Sequence, residues 1–416
     1  MHILFISQYF YPENFRINDL VDALAGRGHE ITVLTGLPNY PSGRIALGYG
    51  WQGPWTETIG AARVYRVPLL PRGDGGGLRL LANYCSFVIS AAWAVQFRLP
   101  RRVYDAIFVF EPSPITVGLV SALARRRFGV PVLFWILDLW PKSLQAVGVV
   151  SSPGVLALVD RLVKWIYRRC DLLLVQSEAF CGELNRQGVE PGKVRYFPNW
   201  GEAAYEAALE IPDDDAKVRR VTGERPFRIV FAGNIGAAQD FPAIIDAAGR
   251  LRDAYVEWVI AGDGRAATEA HARVAALGLE DKVRFLGQQP NEAMPALFRT
   301  ADALLLSLRD EPIFALTVPG KLQSYLTAGR PVLGMISGEG ARIIEESGGG
   351  LACPAGDAAG LERSVRVLLS ADPAARREMG ERGQAYYREH FSRDRLLDRL
   401  ESWFREARGA GNDNRK

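Results

Sequence analysis

Apolar residues in this chain gather into short unbroken runs, and the stretches between them repeat at helical spacing. Ile3–Ser7, Glu30–Thr35, Val64–Val67, Ala106–Phe110, Val132–Leu137 and Leu172–Gln176 read as strands. Arg16–Arg27, Pro114–Arg127 and Pro153–Arg169 read as helices between them. A strand that is apolar throughout, rather than at alternate positions, is covered on both faces, and strands alternating with helices make a parallel sheet. The pattern lapses between Asn199 and Pro226 in a charged, turn-rich stretch, then restarts. Strands are expected at Arg228–Ala232, Glu257–Ala261, Val283–Leu286, Ala303–Ser307 and Val332–Met335. Helices are expected at Phe241–Arg250, Glu269–Ala276, Asn291–Arg299 and Lys321–Ala328. The chain therefore reads as α/β, with one domain over 1–200, a linker over 201–225 and a second domain over 226–392. A charged tail ends in an amphipathic helix, about 393–412, expected to return to the first domain.

One apolar segment does not fit a strand. Leu80–Phe97 has no charged residue and is flanked by Arg79, Arg98, Arg101 and Arg102. It just reaches the length of a membrane span, but Asn83, Ser86, Ser90 and Gln96 make it a poor one. Two readings stay open: a long buried or half-buried helix, or an interfacial helix with basic anchors. Pro153–Arg169, with Trp165 beside Arg168 and Arg169, is a second candidate for such a surface.

Composition narrows the classes. Hydrophobic residues make up 48% and charged residues 23% of 416 residues, values of a globular chain too long for one core. A formal net charge of +3 without a long basic run argues against a nucleic-acid partner. The four cysteines, Cys85, Cys170, Cys181 and Cys353, form no close pair, and the four histidines no ligand cluster. No metal site is expected, and the start lacks the basic n-region of a signal peptide. A cytoplasmic protein, or one peripheral at the inner face of the plasma membrane, is the expectation.

In open parallel sheets, ligands bind beyond the carboxyl ends of the strands. Three glycine-bearing turns lie there in the second half: Gly233-Asn234-Ile235-Gly236, Gly262-Asp263-Gly264, and Gly287-Gln288. Each alone is an ordinary strand-to-helix turn, but their recurrence on successive strands points to one shared nucleotide site. Gly262–Ala267 also fits G-x-G-x-x-A; it lies deep in the chain and lacks the following ribose-binding acid, which excludes a dinucleotide site. A helix opening at Thr317-Val318-Pro319-Gly320-Lys321 would aim free amides, its dipole and the Lys321 ammonium at one anion. Asp310 and Glu311, just upstream, suit a sugar hydroxyl. In the first half, Asp138 ends a buried strand, as a reacting carboxylate or a turn aspartate. Asn14, Arg16, Asn39, Tyr40 and Glu111 sit at other strand ends, as the roof of an acceptor site or as turns.

The motifs QYFYPE, GHEITVLTGLPNYPSG, DLWPKS, FAGNIG, IAGDG, FLGQ and DEPIFALTVPGKLQSYLTAGRPV run in the order of a known family. The chain resembles the family 4 retaining glycosyltransferases of the GT-B fold, in the branch that builds bacterial O-antigen, capsule and colanic acid. The resemblance implies two Rossmann-like domains facing a cleft, a nucleotide-sugar donor in the second, expected to be a UDP-sugar, and a glycan acceptor in the first. It implies a polyprenyl-diphosphate-linked acceptor, net retention without a metal, and no cofactor beyond the donor itself. By that analogy the turns near Gly233 and Gly320, with Lys321, hold the diphosphate. Gly262–Gly264 lie near the nucleoside and Gln288 near the base. Two positions depart from the family. Leu316 and Ser324 stand where many members carry glutamates, leaving Glu311 as the nearest upstream acid, and Gln239-Asp240 stand where a basic residue is common. A nucleotide-sugar epimerase of the same architecture, or a binding protein without turnover, are the alternatives.

Overall fold

The computed structural model describes residues 1–73, 75–101, 103–146, 150, 152–201 and 225–413. The expected linker therefore lies outside the described residues except for Gly201 and Arg225, as does Arg102. The chain divides into two compact units, Met1–Pro198 with Leu396–Lys416, and Asn199–Arg395.

The first unit holds an eight-stranded sheet: β1 (His2–Ile6), β2 (Glu30–Gly36), β3 (Thr56–Ile59), β4 (Ala62–Val67), β5 (Ala106–Glu111), β6 (Val132–Ile136), β7 (Leu172–Val175) and β8 (Val194–Tyr196). Their order is β3-β4-β2-β1-β5-β6-β7-β8. Every neighbouring pair is parallel except β3–β4, an antiparallel edge hairpin. Strand β3 escaped the sequence reading because its residues alternate between exposed and half-buried, so it has no apolar run. The β5 and β6 residues are all buried, as helices on both faces require. The final helix, Arg393–Asp413, puts Leu396, Leu397, Leu400, Trp403, Phe404 and Ala407 into this unit's core. These positions recur at helical spacing, and Phe404 meets the Phe108 ring at 6.1 Å between centroids.

The second unit is a wholly parallel six-stranded sheet: β9 (Phe227–Ala232), β10 (Val256–Ala261), β11 (Val283–Gly287), β12 (Ala303–Ser307), β13 (Val332–Met335) and β14 (Gly350–Cys353). The order β11-β10-β9-β12-β13-β14 is the dinucleotide-fold order, and its direction reverses between β9 and β12. In the first unit the reversal falls between β1 and β5. Each switch point opens a crevice beyond the carboxyl ends of its two strands.

The segment Leu80–Phe97 belongs to a helix, Gly77–Phe97, that is only partly covered. Phe87, Ala91, Ala94 and Val95 are buried, while Leu78, Leu81, Ile89, Trp93 and Phe97 are 56–85% exposed. By length and composition alone, this helix could cross a membrane.

Candidate active site

At the switch point of the second unit, the turn after β9 begins at Gly233, whose φ of 127° suits glycine. A Cβ there would lie 2.5 Å from Lys321 Cε, so the missing side chain makes room for the lysine. Lys321 Nζ sits 4.0 Å from the centroid of the Phe231 ring. Burial pushes the ammonium down to about 7, and no carboxylate among the described residues offsets it. The turn after β10 closes on the first: Gly262, at φ 147°, would carry a Cβ 1.9 Å from the Gly233 carbonyl oxygen.

The amides of these turns are mostly spent internally. Gly233 N donates to Ala261 O at 2.8 Å, Ile235 N to Asp263 O at 2.9 Å and Gly236 N to the Gln239 side chain at 3.1 Å. Gly262 N donates to Gly287 O, and Gly264 N to its neighbour Asp263 Oδ1. Among the described residues, Asn234 N and Asp263 N are the amides of these two turns left without an acceptor. Gln239 thus has a structural task at the position where a basic residue was expected.

The Thr317–Lys321 region differs from the sequence reading. A five-residue helix, Pro312–Leu316, precedes it, where a loop was expected. The next helix is Gly320–Thr327, with Pro319 as its N-cap rather than its first residue. Thr317 turns back onto the short helix, its amide donating to Phe314 O and its hydroxyl to Ile313 O. Val318 is buried. The helix end therefore offers the amides of Gly320 and Lys321, in the first turn where no intrahelical acceptor exists. Tyr325 anchors this helix, since its hydroxyl takes the Ala232 amide at 3.0 Å. The ligand-facing end of β9 and the start of the helix are thereby held in register.

Glu311 is half-buried and Asp310 exposed, at the switch point after β12. Gln288 is exposed after β11, as is Asp263 after β10. Ser324 lies buried inside the helix and Leu316 ends the short one.

In the first unit, the loops after β1 and β5 face the other switch point. Glu13 is buried and collects three amides: Asn39 N at 2.8 Å, Tyr40 N at 2.7 Å and Phe10 N at 3.3 Å. Burial raises its carboxyl, against the pull of those amides. Asn39, also buried, takes the Arg72 amide on its Oδ1 at 3.1 Å. Tyr40 is 44% exposed, with Arg72 5.1 Å from its ring centroid. Tyr9 stacks on Phe15 at 4.7 Å. Asn14 is exposed, and Arg16 is the first residue of its helix.

Glu111 ends β5 fully buried, with neither carboxyl oxygen hydrogen-bonded among the described residues. Burial, reinforced by Asp138, lifts its carboxyl well above the usual range. Asp138 follows β6 and accepts Trp140 Nε1 at 3.1 Å; burial raises its carboxyl too. Two neighbouring carboxyls in low dielectric will not both ionise readily, so this corner retains a proton at higher pH than ordinary acids do.

Residues 14–200 match the glycosyl transferase 4-like domain, and residues 226–371 match the glycosyl transferases group 1. The chain is 30% identical over 298 residues to the 2-deoxystreptamine glucosyltransferase of Streptomyces kanamyceticus, covering 69% of this chain and 73% of that protein. It belongs to the family 4-like glycosyltransferases. A protein assigned to colanic acid biosynthesis as a glycosyl transferase in Escherichia coli (strain K12) is 27% identical over 341 residues, 79% of this chain and 82% of the relative. Among solved structures, Anabaena HepE in complex with UDP and glucose aligns with a TM-score of 0.67 at 18% identity, over 96% of this chain and 98% of that one. That likeness concerns the fold, which is GT-B.

The structure of this glycosyltransferase gathers Gly233, Asn234, Gly262, Gly320 and Lys321 around one switch point. It gathers Asn39, Tyr40, Glu111 and Asp138 around the other. The sequence reading passed over Arg72 and Tyr84, and named Tyr9 and Glu13 only as parts of strand-end motifs. Glu13 was visible in the same strand-end loop as Asn14, but only the structure shows it collecting the Asn39 and Tyr40 amides. Tyr84, whose hydroxyl is raised by burial near Arg72, Asp138 and Glu111, lay hidden in the apolar helical segment.

Proposed function

We propose that this glycosyltransferase moves a hexosyl unit from a UDP-sugar to a growing glycan on a polyprenyl-diphosphate carrier, with retention and without a metal, in bacterial surface polysaccharide assembly. The observation that carries the donor half is Lys321. A largely buried ammonium without a carboxylate partner among the described residues, next to first-turn amides, suits a diphosphate that would supply negative charge. In the transition state, charge growing on the departing diphosphate would be stabilised by Lys321, the Gly320 and Lys321 amides and Asn234 N. This is stabilisation by preorganised dipoles. Asp138 would orient or deprotonate the acceptor hydroxyl. In the second case its carboxyl, raised by burial, would set the working pH. Glu311 would grip the donor sugar. The relation to a colanic acid glycosyl transferase supports the polysaccharide setting.

Helix Gly77–Phe97, with its exposed apolar stripe, and the basic end of Pro153–Tyr167 would hold the first unit on an anionic inner leaflet.

The test is a thermal-shift screen of nucleotide sugars, read as stabilisation by ligand binding, followed by transfer to a polyprenyl-linked acceptor with the product's anomeric configuration read by NMR. Stabilisation by no UDP-sugar would overturn the donor assignment. An inverted product would overturn retention.

A further inference from the structure

A second concavity lies at the opposite, amino edge of the first unit's sheet, away from the switch point. It encloses about 1020 Å³ between the C-terminal halves of helices Val117–Phe128 and Pro153–Tyr167, the starts of β6 and β7, and the last helix. Its walls are part apolar, with Leu119, Leu123, Leu172 and Trp165, and part charged. Four cations line it: Arg125, Arg126, Arg169 and Lys193. The acids at its rim are already engaged. Asp171 holds Arg125 at 2.7 Å, and Glu406 holds Arg195 at 2.7 Å. No carboxylate among the described residues pairs with Arg126, Arg169 or Lys193. Arg169 instead lies 3.6 Å over the Trp165 ring.

Basic residues at helix C-termini are favoured by the helix dipole, which accounts for the placing of Arg126 in the last turn of its helix and of Arg169 just past the end of its own. It does not account for their meeting Lys193, from a separate turn, over a floor of leucines. A hollow that joins apolar side chains to cations without an acid partner among the described residues fits an amphiphilic anion. The same face supplies a setting for one. Helix Gly77–Phe97 packs against Val117–Phe128 and exposes Leu78, Leu81, Ile89, Trp93 and Phe97 at intervals of three, eight, four and four residues, one face of a helix. Exposed Arg101 follows at its end.

We infer that this cavity seats the phosphate head of an anionic phospholipid, a binding site separate from the donor and acceptor groups. The inference rests on the membrane-surface reading above and deepens it: attachment uses a built headgroup site as well as a general apolar and basic surface.

The experiment uses the full chain. Flotation is measured on phosphatidylcholine vesicles with and without phosphatidylglycerol, and thermal shift is measured with soluble short-chain phosphatidylglycerol and with inorganic phosphate. Wild type should float with the anionic vesicles and be stabilised by the short-chain lipid but not by inorganic phosphate at equal concentration. Arg126→Ala, Arg169→Ala and Lys193→Ala together should weaken anionic vesicle binding by roughly a hundredfold. They should abolish the short-chain lipid shift while leaving the nucleotide-sugar shift in place, which shows the fold intact. Arg126→Lys with Arg169→Lys should retain both lipid responses. If the triple variant binds vesicles and lipid like wild type, the headgroup site is overturned and the membrane reading stands. If inorganic phosphate stabilises as well as the lipid, the site takes a free anion and the lipid assignment is overturned. If wild type floats with neither vesicle, the membrane reading falls and this inference with it.

Discussion

Lys321 rests its ammonium on the face of Phe231, 4.0 Å from the ring centroid, with no acid among the described residues to neutralise it. The ring's negative face offsets part of the lost hydration, and the rest is a destabilisation held in the fold. Replacing the lysine with an apolar side chain of similar length, Lys321→Met, separates the two consequences. Binding of UDP-glucose, measured by titration calorimetry, should weaken at least about a hundredfold, the scale of a charge-assisted phosphate contact in a desolvated site. The unliganded variant should melt about 2–4 °C higher at neutral pH. Unchanged affinity would remove Lys321 from the donor site.

The same lysine sets a pH dependence whose sign can be worked out. Burial brings its pKa to about 7, against 10.5 unperturbed, and a bound diphosphate would raise it again. Below about pH 7 the lysine is charged with or without donor, and affinity is level. Above it, binding must take up a proton, so affinity for a UDP-sugar should fall by up to about tenfold per pH unit. Calorimetry at pH 8 in buffers of different ionisation enthalpy should register this uptake, and Lys321→Met should abolish it. The folding contribution runs the other way. The destabilisation is fully present below about 7 and fades as pH rises toward the unfolded value, so the stability gain of Lys321→Met should shrink by pH 10.

Glu111 makes a contrasting case. Its carboxyl is held above the ordinary range, so the folded chain keeps a proton that the unfolded chain releases. Stability from this group is present at low pH and is lost as pH rises from the unfolded value through the raised folded one. Glu111→Gln should flatten that segment of a melting-temperature profile between pH 4 and 9. If the profiles superimpose, Glu111 does not retain the proton. Asp138→Asn, by comparison, should leave UDP-sugar binding intact while transfer falls by about 10²–10⁴-fold.

Gly262→Ala tests the packing of the two turns. Its Cβ would lie 1.9 Å from the Gly233 carbonyl oxygen at a φ of 147°, so the turns must separate or the chain must strain. A loss on the order of 3 kcal/mol in denaturant unfolding is expected, together with weaker UDP-sugar binding. Gly278→Ala is the control, since a Cβ there meets nothing within 4 Å and its φ of 62° is an ordinary left-handed value.

Much of the architecture was legible because buried parallel strands leave continuous apolar runs. Ala303–Ser307 and Val332–Met335 have the same limits in sequence and structure. Strand β3 left no such run, and β14, Gly350–Cys353, mixes two small residues with half-burial. The switch points were legible in outline, since glycine turns and lone carboxylates at strand ends mark them. The disposition of amides was not. The sequence shows that Gly236 can approach a phosphate, but not that Gln239 already holds its N–H. Nor could it reveal that Pro312–Leu316 forms a helical turn that ties up Thr317, because that depends on backbone closure at Phe314 and Ile313. Tyr84 was hidden for a different reason: an aromatic in an apolar helix looks like any other core residue.

The last helix has a consequence for how the protein is made. Arg27 is bonded to Asp398 across 371 positions of sequence, and Phe404 completes the aromatic packing around Phe108. Domains commonly fold in order as they leave the ribosome. Here the first unit emerges early but lacks one helix of its core until the final residues appear, whereas the second unit is complete as soon as Arg395 is free. The unit that begins the chain is therefore the last to be finished, and its uncovered apolar surface waits in the cell for the whole time the other is being synthesised.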